Sequence, residues 1–265
     1  MSKQAAQGQA REHSPGGSVD VQMPFTSHLG ELRSRLIKSV IAISIAFVGC
    51  FAFVDQIFVI LAAPLRRLKI SGLTLIGTAV AEAFFTKMKV AFAAAIVVAL
   101  PVLLWQCWQF VAPGLYEHEK RHTRAFVTFG SLFFLAGAAF CYFVVVELGL
   151  GFLLRRYEMI HVQPLIQVGD YLSQISRLVL AFGVIFELPV LAFFLARVGL
   201  IDHKMLIKHS RYALVAIAIL AAILTPPDLV SQVLLMLPLC LLYGVSIGVA
   251  YLARARMNRL EKAAE

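Results

Sequence analysis

The chain has 265 residues, 60% of them hydrophobic and only 15% charged, with a mean hydropathy of +0.82. No soluble domain of this length needs so much apolar surface, so composition excludes a water-soluble enzyme or binding module and indicates a polytopic membrane protein. The net charge of +9 is no pointer to nucleic acid, because Lys and Arg fall in short segments between apolar runs, where they set a membrane protein's orientation.

Residues 1–23 are mostly polar, with Pro15 followed by Gly16 and Gly17. Lacking an apolar h-region, they are expected to form a disordered tail and not a cleavable signal peptide. The segment MPFTSHLGELRSRL, Met23 to Leu36, leads into the first apolar run, Leu36–Val54. Glu31 and Arg35 stand i,i+4 on one helix face, so a self-paired surface helix and a charged recognition surface both fit them. The next connection, about 55–86, includes FVILAAPLRRLKI. Its Arg pair suits a short helix in the headgroup layer, which Pro64 is expected to break.

The second apolar run is Val90–Trp105, extended backward through Lys87 and Lys89, which snorkelling tolerates. It leads into FVAPGLYEHEKR, Phe110 to Arg121, where Glu117 and Arg121 are again i,i+4 while Glu119 points elsewhere. The third run, Ala125–Val146, carries no charge and is followed by a connection, 147–177, whose LGLGFLLRRYEMI suits a second interfacial helix.

The fourth run, LVLAFGVIFELPVLAFFLA from Leu178 to Ala196, is 19 residues long, close to the ~20 that cross a bilayer core. It holds the lone carboxylate of Glu187, which costs on the order of 3 kcal/mol at the bilayer centre. That group should face protein or water, or be protonated. Pro189 frees a backbone carbonyl nearby and favours a kink beside it. A neutral Glu bonded to a neighbouring helix is the plain alternative to a functional acid.

The fifth run, Tyr212–Leu224, has 13 residues and reaches only ~20 Å at 1.5 Å per residue. It is followed by TPPDLVSQ, Thr225 to Gln232, and the sixth run, Leu229–Leu252. Pro226 and Pro227 enforce a non-helical turn, Asp228 is placed as N-cap of the last span, and Gln232 offers an interhelical hydrogen bond.

Positive charge decides whether the short fifth run crosses. With six spans and a cytoplasmic N-terminus, the cytoplasmic side holds Lys3, Arg11, Arg33, Arg35 and Lys38, then Lys120, Arg121 and Arg124. It also holds Arg197, Lys204, Lys208 and Arg211, and finally Arg254, Arg256, Arg259 and Lys262. These are 16 of the 24 basic residues, and Thr225–Asp228 carries none, as the positive-inside rule requires. The expectation is an all-α integral membrane protein of six transmembrane helices, with short interfacial helices in the outer loops. Its parts are a cytoplasmic tail (1–23), a membrane domain (24–252) and a cytoplasmic C-tail (253–265).

Cys50, Cys107, Cys141 and Cys240 each lie in an apolar stretch without a C-x-x-C pair, so they read as small hydrophobes, with no metal or other cofactor expected. The seven His residues are scattered through the tail, loops and helix ends.

Four segments together, HLGELRSRL, FVAPGLYEHEKR, FGVIFELPV and TPPDLVSQ, resemble the TatC family, the multi-spanning subunit of the twin-arginine protein translocase. They occur in the family's order, at matching places relative to six spans, and the resemblance covers roughly Met23 to Leu252. The polar N-tail is longer than the family commonly shows, and Gly30 stands where a larger apolar residue is frequent. The resemblance implies a receptor, not an enzyme, in the bacterial cytoplasmic membrane, with both termini cytoplasmic. It would bind twin-arginine signal peptides of folded cargo and work with TatA/TatB-type single-span partners and the proton-motive force, as a homo-oligomer surrounded by lipid. On matching positions, Glu31 and Glu119 would receive the arginine pair, with Arg33 and Phe110 shaping that surface. Glu187, Thr225 and Gln232 would dock partner spans, and Pro64 and Asp228 would matter for the outer loops.

Other classes fit less well. A secondary transporter of a small solute predicts internal repeats and paired broken spans, whereas only Leu178–Ala196 is a broken polar span. An ATPase would need G-x-x-x-x-G-K-[ST], which the sequence lacks. H-E-x-x-H occurs once, at His118–His122 in the charged loop between the second and third runs. G-x-S-x-G also occurs once, at Gly244–Gly248 inside the sixth apolar run, away from the strand-to-helix turn that a nucleophile elbow needs.

The charge distribution generates a direct test. Reporter fusions at Glu265 and within the tail before Met23 should both report from the cytoplasm. Reporters on opposite faces would rule out six spans.

Overall fold

Backbone groups in a bilayer must be satisfied within the chain, and for apolar runs of this length the helix is the local solution. The computed structural model describes residues 25–68, 74–111, 123–159, 162–225 and 228–264, and it is almost entirely helical. Five long helical stretches are apolar enough to cross a membrane: Leu29–Ala52, Glu82–Phe110, Arg124–Tyr157, Val168–Arg197 and Leu229–Ala255. They lie in α1 (Phe25–Ala52), α3 (Glu82–Val111), α4 (Thr123–Phe140) with its continuation, α6 (Val168–Arg197) and α9 (Leu229–Ala264). The sixth span is α8, Ser210–Leu224, whose 15 residues reach ~22 Å. It is preceded by α7 (His203–Lys208), with only His209 between them. α7 lengthens the short span, and the Tyr243 hydroxyl of α9 donates to the Leu206 carbonyl at 2.9 Å, holding it in place.

α6 is the centre of the bundle and packs on α3, α4 and α9; α1 packs on α3, and α8 on α9. Lipid tails are as apolar as leucine, so tight helix pairs need small residues at the crossing. On α4, a Cβ at Gly137 would stand 2.6 Å from Phe186 Cγ; on α6, one at Gly183 would stand 2.5 Å from the Phe134 ring. These glycines let α4 and α6 close over the fully buried Phe134 and Phe182. By contrast Leu36, Val40, Ile45 and Val48 of α1 are exposed, as lipid-facing residues of a peripheral span must be.

The third span differs from its sequence reading. It passes through a π-helical segment, Cys141–Val145, and continues as α5, Val146–Met159. Leu148–Met159 of LGLGFLLRRYEMI is therefore helical, as expected, but it prolongs the span. The π segment carries an extra residue in its turn and holds Tyr142, whose hydroxyl donates to the Ile60 carbonyl at 2.5 Å.

That contact explains a correction. Pro64 does not break the helix of the first outer connection; α2 runs from Val54 to Arg67 with a fully buried Pro64 inside it. Pro64 has no N–H to give the carbonyl four residues earlier, which is that of Ile60, and Tyr142 supplies the missing donor. The Tyr171 hydroxyl of α6 donates to the next carbonyl, Leu61, at 3.2 Å. An interrupted helix keeps its backbone satisfied because two distant tyrosines reach it.

A two-stranded parallel sheet, absent from the sequence reading, joins the two outer connections: β1 (Thr74–Ile76) pairs with β2 (Leu165–Gln167), Leu75 opposite Ile166. Parallel strands need a long crossover, here provided by the two spans between them. Beside it, Glu82 accepts the amides of Thr78 at 2.6 Å and of Gly169, at the start of α6, at 2.8 Å. A Cβ at Gly169 would stand 2.9 Å from that carboxylate oxygen, so glycine is required for the approach.

The Pro64–Tyr142 pair generates a coupling test. Tyr142→Phe leaves the Ile60 carbonyl unpartnered and should destabilise by about 1–3 kcal/mol. Pro64→Ala, which restores an N–H, should cost less in the Tyr142→Phe background than in the wild type. Thermal unfolding of the four purified variants measures this, and strictly additive losses would refute the pairing.

Candidate functional site

The sequence-predicted residues fall into three places. The first is the end of α1 that enters the membrane, against the C-terminal end of α3. Glu31 and Arg35 lie one helical turn apart, and Glu31 Oε1 stands 3.1 Å from Arg35 Nη2, both side chains about one-fifth exposed. The Arg35 guanidinium also reaches across to α3, where Nη1 donates to Gln109 Oε1 and, at 3.4 Å, to Gln106 Oε1. Phe110, half-buried, follows Gln109 directly, and Arg33 is exposed on the neighbouring face of α1.

The end of α3 is fixed by an aromatic cluster. Trp108 stacks on Phe126 of α4 with ring centroids 4.6 Å apart, and Phe194 of α6 meets both edge-on at 5.4 and 5.0 Å. Such pairs add to the burial of their area and hold three helices together beneath Gln109 and Phe110. Glu119 lies outside the described residues. Sequence reasoning found Glu31 and its i,i+4 partner but missed Gln106 and Gln109. Their signal was available: two carboxamides at i,i+3 spacing, ending an otherwise apolar span.

The second place is the middle of α6. Glu187 is 6% exposed, and neither carboxyl oxygen has a hydrogen-bond partner among the described residues. Its carboxyl abuts Gly130 of α4, where a Cβ would stand 3.0 Å from Oε2 and 2.8 Å from Leu104 of α3. Glu187 thus faces protein, in a seam between α3, α4 and α6 that opens only because residue 130 is glycine. Pro189 is fully buried and α6 continues through it to Arg197, so the expected distortion does not end the helix.

The third place is the α8–α9 turn. Thr225 Oγ1 donates to Ala221 O at 2.8 Å and Gln232 Nε2 to Ala218 O at 3.1 Å, so both serve carbonyls of α8. Gln174 of α6 donates to the Leu224 carbonyl. These carbonyls lie in the last two turns of α8, where orphan acceptors collect. Asp228 Oδ1 accepts the Ser231 amide at 2.8 Å, the N-cap geometry expected from sequence. That bond chiefly holds the Asp228 carboxyl below its ordinary pKa.

Glu187 and Gln232 are therefore not brought together. One looks into the α3–α4–α6 seam and the other binds α8. Among the described residues no group of three or more His, Cys, Asp or Glu is placed to hold a metal ion.

Comparison with known proteins bears on this arrangement. The family model of the Sec-independent protein translocase protein TatC matches residues 27–238. A Sec-independent protein translocase protein TatC of Campylobacter jejuni is 48% identical over 221 residues, which are 83% of this chain and 90% of that one. One of Desulforapulum autotrophicum is 40% identical over 243 residues, 91% of this chain and 90% of the relative. A crystal structure of a twin arginine translocase receptor TatC superposes with a TM-score of 0.79 at 38% identity, covering 85% of this chain and 99% of that one.

Proposed function

The chain belongs to the TatC family, and from that premise we propose that it is the receptor and core subunit of a twin-arginine translocase in the bacterial cytoplasmic membrane. It is a multi-pass membrane protein of a translocase family. Both termini lie in the cytoplasm, the orientation that the basic segments favour. The face on which α1 begins and α3 ends is then cytoplasmic and meets the signal peptides of folded cargo before they cross.

Glu31 carries this reading. It already holds a guanidinium at 3.1 Å in a half-buried setting between two helices, which is the chemistry a ligand arginine would use. Guanidinium and carboxylate make charge-assisted bonds with a fork geometry that lysine cannot copy. Glu119 is the second acceptor for the arginine pair, and Phe110 and Arg33 flank the surface. An exposed pair contributes little, but a docked peptide excludes water and raises each bond to the ~1.5–3 kcal/mol of hydrogen bonds to charged groups.

Single-span partners of the TatA/TatB type would dock within the membrane. Their specificity must come from close packing and interhelical hydrogen bonds, since hydrophobicity does not favour them over lipid. Glu187 has no hydrogen bond within the described chain, so a donor brought by an incoming span would satisfy it. Gln232 and Thr225, now bonded to α8 carbonyls, would fix the α8–α9 turn against which such a span packs.

Two measurements test these assignments. Glu31→Ala and Glu119→Ala should each weaken crosslinking of a twin-arginine peptide, with Glu→Asp less harmful. Normal crosslinking by the double Ala variant would defeat the receptor role. Glu187→Ala and Gln232→Leu should leave peptide binding intact and reduce disulfide crosslinking from flanking cysteines to a partner span, together with transport. A proton-relay role for Glu187 predicts instead that Glu187→Gln abolishes transport as fully as Ala while crosslinking is unchanged.

A further inference from the structure

The Glu31 carboxylate is not vacant in this chain. Arg35 occupies it, and the same guanidinium is held by two further acceptors, the side-chain oxygens of Gln106 and Gln109 on α3. One carboxylate on α1 and two carboxamides on α3 thus form a cradle of three acceptors around a planar five-donor group. Guanidinium is the side chain that such a cradle fits: an ammonium is a compact point charge without a planar fork. The cradle spans two helices, and the aromatic cluster of Trp108, Phe126 and Phe194 fixes its α3 wall.

We infer that Arg35 is an internal placeholder in a guanidinium site formed by Glu31, Gln106 and Gln109, and that a ligand arginine binds by exchanging with it. The inference rests on the receptor reading above and adds two acceptors and a resident competitor to it. Three features of the geometry support exchange. The occupant is tethered four residues from Glu31 on the same helix, so it leaves by rotating its side chain without any helix moving. Its side chain remains about one-fifth exposed, as does that of Glu31, so a ligand can approach. One of its donors, Nε, is buried with no partner among the described residues, so within them the cradle fits the resident imperfectly and the resident forgoes a hydrogen bond that its guanidinium could make in water.

A placeholder has a definite use in a basic, membrane-adjacent surface. An empty cluster of acceptors would attract any cation, including the lysines and arginines of unrelated chains. With Arg35 in place, an incomer gains only what it makes beyond the resident pair. A single lysine, unable to engage both the carboxylate and the carboxamides with a fork, does not displace the resident, whereas an arginine backed by a neighbour at the second acidic site does. Discrimination comes from the difference of two binding energies, with the resident as the repulsive element.

The test measures binding of fluorescent peptides carrying Arg-Arg or Lys-Lys to the full-length protein in nanodiscs. Arg35→Gln should tighten the Arg-Arg peptide by about five-fold, the scale of undoing one exposed ion pair and one net hydrogen bond. It should tighten Lys-Lys by a larger factor, lowering the preference between the two. Gln106→Leu with Gln109→Leu, added to Arg35→Gln, should remove the gain for Arg-Arg. Arg35→Lys, which keeps the charge without the fork, should shift both peptides in the same directions by smaller factors, and it decides the matter if Arg35→Gln does not insert. Weakened binding in Arg35→Gln or Arg35→Lys, or an unchanged preference, would make Arg35 a scaffold and overturn the exchange. Wild-type protein that binds both peptides alike would instead overturn the receptor reading, and the placeholder with it.

Discussion

A backbone carbonyl inside a bilayer has no water to fall back on, and this bundle is organised around carbonyls that its own helices leave short of a donor. Pro64 strips Ile60 of its partner, and Tyr142 answers from the third span. The C-terminal turns of α8 expose Ala221 and Leu224, and Thr225 and Gln174 answer there, while Gln232 binds Ala218 one turn earlier. The break between α7 and α8 falls where Leu206 accepts from Tyr243. In each case a polar side chain within or beside an apolar run is the donor. Most of these bonds link different helices, so satisfying the backbone also fixes how the spans sit against each other.

Close helix approach is the other half of the same problem. Helices cannot be driven together by hydrophobicity when the solvent is hydrocarbon, so contact must come from surfaces that fit. Gly137 and Gly183 let aromatic rings of α4 and α6 sit where Cβ atoms would clash, and Gly130 does the same for the carboxyl of Glu187. The costliest residue in the membrane is thereby enclosed between three helices without a bonded partner in the described chain. An ionisable group kept in such a position marks function more than stability, because a packed apolar side chain would serve stability better.

The cluster at the ends of α1 and α3 follows a different rule. Glu31, Arg35, Gln106 and Gln109 lie at the ends of α1 and α3, where side chains meet both water and protein. Charged pairs at such a partly exposed boundary hold a defined geometry while contributing little to stability. Their usefulness depends on a rigid α3 end, which the Trp108 cluster provides. One end of the bundle carries a charged, partly exposed cluster, and the middle an enclosed carboxyl.

The sequence by itself determined whatever depends on neighbours along the chain. Hydropathy marked the long spans because a run of about 20 apolar residues is its own signal, and the placement of Lys and Arg decided the short fifth one. Asp228 was readable as a cap and Glu31–Arg35 as a pair, since both are contacts within one helical turn. Only the tertiary structure decided the rest. The Tyr142–Ile60 bond that rescues Pro64 spans 82 positions, the Arg35–Gln109 bond 74, and the Glu82–Gly169 bond 87. The parallel pairing of β1 with β2 is equally remote. No periodicity along a chain encodes which of its distant turns will meet. A proline that breaks a helix in isolation is tolerated once another helix brings a hydroxyl to the freed carbonyl, and a carboxylate that should seek water is buried once a glycine makes room for it.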